Sequence, residues 1–152
     1  MKISVQIPES FFAPFTTPFQ LKEYKERLNE FAQWSKEQFN LVPVYNLVIA
    51  RAEYVDFILN NVWQHAELDQ EKDLSLIAVG GYGRHELHPE SDIDLLLLSK
   101  KEIKPATKEK ISLFLTTLWD LKFDVGHAVR TIKDTLVAGK EDIQTATNLM
   151  ER

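Results

Sequence analysis

The chain contains no cysteine, which excludes a disulfide framework and any metal site built from thiolates. No apolar run approaches the ~20 residues that a membrane-spanning helix needs. The N-terminal stretch MKISVQIPES carries one Lys and is interrupted by Pro8, unlike the long apolar core of a secretory signal. These absences predict a cytoplasmic protein with no membrane partner.

Positive charge is also in the minority, since the chain has 18 Lys and Arg residues and 23 Asp and Glu residues, which gives a net charge of −5. Binding to a nucleic-acid backbone needs clustered cationic side chains, so nucleic acid is not an expected partner. A single nucleotide is not excluded, because backbone N–H groups, one Arg or a metal ion can meet its phosphates. The length of 152 residues fits one domain, and the apolar fraction of 44% is ordinary for a globular protein.

The first 70 residues read as an aromatic arm followed by two helices. Three Phe within residues 10–18 are expected to pack on the domain's own helices, although docking on a further domain is the alternative. Thr17 as cap and Pro18 at the first helical position predict a helix that runs to about Gln38. Apolar spacing predicts a second, longer helix over about residues 43–67.

The remaining residues alternate between short apolar runs and helical patterns. Residues 74–79 predict a buried strand that enters a tight turn, and residues 92–99 predict a central strand, because they are apolar on both faces. A third strand is expected over residues 121–130 and a fourth helix from Thr131. The helix between the second and third strands should span about residues 105–120. The residues expected on its inner side are Ile111, Phe114, Leu115, Leu118 and Trp119.

This order of elements predicts an α+β fold with a small sheet packed by helices and an N-terminal helical segment. Residues 1–70 would form the N-terminal arm and helices, and residues 71–152 the core of the domain. The final stretch EDIQTATNLMER has helical spacing but no residue that closes a helix, so we expect the core to be truncated at the C-terminus.

Two acids, Asp92 and Asp94, stand two residues apart at the start of the central strand and therefore point to the same side. Like charges this close, near apolar neighbours, raise each other's pKa. A divalent cation removes that penalty, and Mg²⁺ is commonly held by one or two carboxylates together with substrate phosphates. The pair is therefore a candidate metal site.

Glycines at Gly80, Gly81 and Gly83 lie at the end of the preceding strand and allow a sharp turn whose N–H groups can bind an anion. Ser91 could add a hydroxyl donor. Arg84 could add positive charge, although an ordinary surface Arg is an equal alternative. A glycine turn opposite two carboxylates can hold a triphosphate, whereas a plain turn followed by a capped strand is the structural alternative.

Other motifs fit this stretch less well. A dinucleotide fingerprint needs a third glycine where Glu86 stands, and no Gly-Lys-Ser/Thr triplet of a P-loop is present. His85 and His88 flank Glu86, but two loop histidines without further ligands make a poor zinc site.

The spacing of Gly-Gly, about ten residues, and Asp-X-Asp resembles the nucleotidyltransferase superfamily that includes DNA polymerase β. The longer string IAVGGYGRHELHPESDIDLLLL is similar to the N-terminal domain of the bacterial PII uridylyltransferases, as are LWDLKFDVGHAVRT and EDIQTATNLMER. The resemblance covers about residues 50–152. It departs at His85, where the family usually has glycine.

The resemblance implies a mixed sheet of the polymerase β type and transfer of UMP from UTP to a tyrosine of the PII signal protein, with Mg²⁺ as cofactor. It also implies a third catalytic carboxylate on a neighbouring strand beside Asp92 and Asp94. Asp124 is our candidate, Asp120 and Asp142 are its rivals, and His127 is left unassigned.

Two other functions stay open at this point. A nucleotidyltransferase of the same fold could transfer AMP instead of UMP. The domain could also be a module that binds a nucleotide without catalysis. The longer family members carry a hydrolase domain with a His-Asp doublet, which this chain lacks, so it should have no uridylyl-removing activity.

Overall fold

The computed structural model describes residues 6–83 and 92–133 of the chain. Arg84 and Ser91, two of the predicted binding residues, lie outside these ranges, as do His85, Glu86 and His88. Asp142 and nearly all of the fourth helix predicted from Thr131 lie outside them as well.

Three long helices make up most of the regular secondary structure in the described residues. They are α1 (Leu21–Gln38), α2 (Val44–His65) and α4 (Pro105–Asp120), while α3 (Gly80–Gly83) is a single helical turn. Short 3₁₀ turns, Glu9–Phe12 and Leu68–Gln70, precede α1 and follow α2. The predicted bounds of α2 and α4 agree with the structure to within two residues.

Within the described residues, the sheet has three strands, β1 (Leu74–Val79), β2 (Ile93–Ser99) and β3 (Val125–Thr131), in the order β1-β2-β3. β1 pairs with β2 antiparallel, and β3 pairs with β2 parallel across the α4 crossover. The structure therefore confirms the predicted α+β fold, the small mixed sheet and the central position of β2.

Burial explains why β2 is the central strand. Ile93, Leu95 and Leu97 belong to the buried cluster that α2 and α4 complete. Leu96 points to the opposite face, yet it is only 3% exposed. A strand that is buried on both faces needs the near-continuous leucine run seen in the sequence.

The N-terminal arm packs on α1 and α2, as predicted. The ring of Phe11 lies 5.6 Å from that of Phe31, and the ring of Phe15 stacks on Tyr24 with centroids 3.7 Å apart. The hydroxyl of Tyr54 donates a hydrogen bond of 3.1 Å to the carbonyl of Phe11. One cluster of buried residues includes side chains from the arm, α2, the sheet and α4. The division of the chain near residue 70 stays a prediction.

The predicted start of α1 at Pro18 is wrong, because the helix begins at Leu21. The ring of Phe19 lies 4.6 Å from that of Tyr24 on α1 and 3.9 Å from that of His65 on α2, so the segment before α1 connects the two helices. The carboxylate of Glu23 accepts hydrogen bonds of 2.6 Å from both the N–H and the hydroxyl of Thr16. These contacts hold residues 16–20 outside the helix.

Two further details on the other side of the sheet differ from prediction. β3 begins at Val125, because the residues after α4 form a turn in which Lys122 takes a left-handed backbone with φ of 70°. Trp119 is 46% exposed rather than buried on the inner side of α4. Its ring lies beside His127 on the edge strand, at 6.0 Å.

Within residues 6–83 and 92–133, none of the helices combines the length and the apolar character that crossing a membrane demands.

Replacing Phe31 with Ala should destabilise the fold by about 3–5 kcal/mol, because its ring is 4% exposed and stacks on Tyr54 at 4.2 Å. Phe39→Ala is the matched control, since Phe39 is 57% exposed and its loss should change stability by less than about 0.5 kcal/mol. Urea unfolding measures both. Equal losses in the two variants would contradict this account of the arm and helices.

Candidate active site

The site lies where β1 ends against β2. Val79, the last residue of β1, pairs with Asp94, and the chain then turns at Gly80 with φ of 65°. Residues with a side chain rarely adopt this left-handed backbone conformation, so a glycine suits the position. Gly80, Gly81 and Gly83 all lie in α3, which we call the glycine turn. The predicted turn after the first strand is thus present.

The carboxylate of Asp94 lies between two glycines on neighbouring elements. A Cβ atom at Gly80 would be 2.9 Å from Oδ2, and one at Gly126 on β3 would be 2.7 Å from Oδ1. Real Cβ contacts are not this short, so any side chain at either position would displace the carboxylate. Both oxygens therefore keep their place only because these residues have no side chain.

The two acids differ in their electrostatic surroundings. Burial, and then the charge of the neighbouring Asp92 carboxylate, raise the pKa of Asp94 above its usual range. Asp92 precedes β2 and is exposed, whereas Asp94 is half-buried. The interaction between the two charges is consistent with the predicted placement of both side chains on one side of the strand. A cation near them would remove the repulsion that each feels from the other.

Asp124 immediately precedes β3, and its carbonyl accepts a hydrogen bond of 2.8 Å from the N–H of Ile93. Because Asp94 is the partner of Gly126 in the parallel ladder, the same register continued by two residues brings Asp124 beside Asp92. Within the described residues, however, no three His, Asp or Glu side chains are grouped closely enough to hold a metal ion. The role of Asp124 as a third carboxylate stays a prediction.

The rival acids have different positions. Asp120 is the last residue of α4, one turn before the strand that carries Gly126. Asp142 lies outside the described residues. His127 follows Gly126 on β3, where its ring lies beside that of Trp119.

Tyr82 anchors the glycine turn to α2, a contact that the sequence analysis missed. Its side chain is 2% exposed, and its hydroxyl donates a hydrogen bond to the Asp56 carboxylate on α2. A Cβ at Gly83 would lie 2.7 Å from the carbonyl oxygen of Ala78, so the turn also packs closely on β1. The position of the turn is therefore fixed from two sides.

Gly126 was also missed, and here the sequence did contain a signal. A glycine inside a strand weakens that strand and often marks a close approach of another group. The approaching group is the Asp94 carboxylate. Tyr82 gave no comparable signal, because its partner Asp56 is 26 residues away in the sequence.

The segment that carries these residues is similar to a known protein family. The sequence model of the family described as "Nucleotidyltransferase domain" matches residues 59–143, which include the glycine turn, both strand acids and β3. The chain therefore belongs to the nucleotidyltransferase domain family. Proteins of this family generally use divalent metal ions.

Several similar proteins bear the name bifunctional uridylyltransferase/uridylyl-removing enzyme. The chain is 51% identical to the one from Vibrio campbellii over 85% of its own length and 15% of that relative. For Vibrio cholerae the identity is 46%, over 96% of this chain and 16% of the relative. The chain thus spans about 15% of the length of such relatives. No solved structure matches it.

The residues present fit a divalent metal ion. Carboxylate oxygens are the ligands that Mg²⁺ prefers, and Asp92 and Asp94 offer them from the start of β2 and the residue before it. Gly80 and Gly126 leave the two oxygens of Asp94 clear of any Cβ atom on either side. The repulsion that raises the pKa of Asp94 is also what a bound cation would relieve.

The Tyr82–Asp56 hydrogen bond should stabilise the glycine turn measurably. In a double-mutant cycle of Tyr82→Phe and Asp56→Ala, we expect a coupling of about 1–2 kcal/mol, because the acceptor is a carboxylate. Urea unfolding provides the four free energies. Tyr45→Phe is the matched control, since Tyr45 is 61% exposed and its hydroxyl should not couple to Asp56. Additive effects of Tyr82→Phe and Asp56→Ala would show that the contact does not hold the turn.

Proposed function

We propose that this domain transfers UMP from UTP to a tyrosine hydroxyl of the PII signal protein and releases pyrophosphate. The observation that carries the proposal is the Asp94 carboxylate, enclosed by Gly80 and Gly126 and next to Asp92. Its support from comparison is the 45–51% identity to proteins named as uridylyltransferases. Because those relatives are several times longer, the activity of the whole enzyme is part of the proposal.

The glycine turn is the proposed binding site for the UTP phosphates. Backbone N–H groups of such a turn can bind an anion, and the absence of side chains at Gly80 and Gly81 lets phosphate oxygens approach. Tyr82 would hold these donors in place through Asp56, so that little order has to be gained when the nucleotide binds.

The reaction is a displacement at the α-phosphorus. The tyrosine oxygen of PII forms a bond to this phosphorus while the bond from phosphorus to the bridging oxygen of pyrophosphate breaks. The proton of the tyrosine hydroxyl passes to the Asp124 carboxylate, which we propose beside the attacking oxygen, and from there to water. The domain contributes alignment and electrostatic stabilisation rather than a covalent intermediate.

Asp92 and Asp94 are the proposed ligands of Mg²⁺. When bound, this ion would neutralise charge on the phosphate oxygens and favour departure of pyrophosphate. The two carboxylates place negative charge at the start of β2. This charge would attract the cation, and without the cation it would repel the phosphates of the nucleotide. UTP binding should therefore depend on the metal.

Two other functions are distinguished by the same measurements. A domain that transfers AMP would turn over ATP in place of UTP. A module that binds a nucleotide without catalysis would bind UTP equally with and without Mg²⁺ in a calorimetric titration. Either result would replace the uridylyltransferase proposal.

Asp92→Asn and Asp94→Asn should each lower UMP transfer by at least about 100-fold, because each removes charge from the metal site. Asp94→Asn should not lower the unfolding midpoint, since it removes an acid that burial and Asp92 disfavour in its charged form. Labelled UMP incorporated into PII and thermal unfolding measure these effects. Asp69→Asn, an exposed acid in the 3₁₀ turn after α2, is the matched control.

Near-wild-type transfer by either strand variant would show that these acids are not catalytic. Asp124→Asn and Asp120→Asn extend the comparison to the third carboxylate. We expect a loss comparable to that of Asp92→Asn for Asp124→Asn and little change for Asp120→Asn. The reverse result would assign the role to Asp120.

Gly126→Ala tests the space beside Asp94 without altering a charge. Its Cβ would lie 2.7 Å from Oδ1 of Asp94, so the carboxylate must move, and Mg²⁺-dependent UTP binding should weaken at least about 10-fold. Ala128→Ser adds one atom on the same face, two residues further along β3, and should leave binding unchanged. Calorimetry measures both affinities. Unchanged binding in Gly126→Ala would mean that the carboxylate does not have to occupy this position.

A further inference from the structure

Arg51 on α2 is half-buried, and among the residues that the structure describes it has no acidic partner in an ion pair. Its Nε atom is shielded from solvent and has no hydrogen-bond partner among the residues that the structure describes. Over the same residues, the two ion pairs are Lys22–Glu26 and Lys110–Glu71, so neither includes Arg51. Buried polar atoms are nearly always hydrogen-bonded, and an exception calls for a physical explanation.

Arg51 lines a cavity of about 150 Å³ on the side of α2 that faces α1 and the turn after α4. A second cation, Lys122, lines the same cavity, and none of its lining residues is acidic. The others are apolar or aromatic: Leu28, Phe31, Ala32, Tyr54, Val55, Leu121 and Phe123. Two cationic residues therefore line a cavity whose other lining residues are apolar or aromatic.

An isolated charge in such surroundings is unfavourable. Burial lowers the pKa of the Arg51 guanidinium, which is the sign of a cation whose lost hydration is not replaced. An anion beside the guanidinium would supply the missing hydrogen-bond acceptor and the missing charge together. A planar guanidinium binds two oxygens of a carboxylate or phosphate side by side, which a chloride ion cannot reproduce.

We propose that this cavity is a binding site for a small oxyanion, either inorganic phosphate or a carboxylate, held by Arg51 and Lys122. Its volume is below the ~300–1,000 Å³ of pockets that enclose drug-sized ligands, so a nucleotide is excluded. The site is separate from the glycine turn and does not rest on the proposed transferase activity.

Its position connects it to the candidate active site. Leu121, Lys122 and Phe123 lead directly into Asp124, whose carbonyl accepts the hydrogen bond from Ile93. An oxyanion that holds Lys122 against Arg51 would order the segment that brings Asp124 to the end of β2. The occupied site is thus expected to stabilise the turn between α4 and β3.

The test is thermal unfolding of the 152-residue chain in metal-free buffer, with sodium phosphate or sodium acetate replacing sodium chloride at constant ionic strength. A ligand that binds only the folded state raises the midpoint in a saturable way. We expect such a rise with phosphate, acetate or both, and the two salts show which oxyanion the site prefers. Arg51→Met should weaken the apparent affinity at least about 10-fold and Lys122→Gln about threefold.

Lys36→Gln is the matched control, because it removes one exposed positive charge from α1 without touching the cavity. Met is apolar and of similar length, so Arg51→Met should fold. If Arg51→Met fails to fold, Lys122→Gln, which changes only an exposed side chain, shows whether the oxyanion binds in this cavity. The proposal is overturned if neither salt raises the midpoint above that in chloride. It is also overturned if the rise survives in Arg51→Met, since the anion would then bind elsewhere, such as at the glycine turn.

Discussion

The rest of this structure depends on one constraint, which is that the Asp94 carboxylate lies between two glycines that have no Cβ atom. For Asp94 to lie between Gly80 and Gly126, β1 has to end at Val79 and β3 has to run parallel to β2 in one register. A parallel neighbour requires a crossover, which α4 supplies. Shifting β3 by one residue would place Val125 or His127 opposite Asp94, and either would put a side chain where the carboxylate lies.

Helix α2 connects the stability of the fold to the geometry of the site. One part of it packs under the N-terminal aromatic arm, where the Tyr54 hydroxyl bonds to Phe11, and another holds the glycine turn through Asp56. The aromatic stacking that stabilises the arm therefore also fixes the helix from which the turn is anchored. A third position, Arg51, faces the cavity beside the turn that leads to Asp124. A domain with so small a sheet depends on such a helix to keep its loops in place.

The sequence was a good guide wherever a local pattern decides the structure. The apolar run of β2, the glycines after β1 and the length of α2 were predictable because strand burial, turn chemistry and helical spacing act over a few residues. The start of α1 was not, because Phe19 is held outside the helix by Tyr24 and by His65, which is far away in the sequence. The same reason applies to the Tyr82–Asp56 contact. Spacing alone made Asp92 and Asp94 candidates, and their role stays a prediction, whereas the space around Asp94 depends on a strand pairing that no local pattern encodes.

The raised pKa of Asp94 means that its charged form does not stabilise the fold. A carboxyl group whose pKa is higher in the folded state than in the unfolded state binds its proton more tightly when folded. Its contribution therefore becomes more favourable as the pH falls through the raised pKa and less favourable as the proton is lost, so near neutral pH the charged form opposes folding. Buried residues such as Phe31 and Tyr54 have to offset that cost. An unfavourable charge at the start of the most buried described strand, with two glycines beside it, is better explained by a functional role than by stability, which agrees with the proposed role of Asp94.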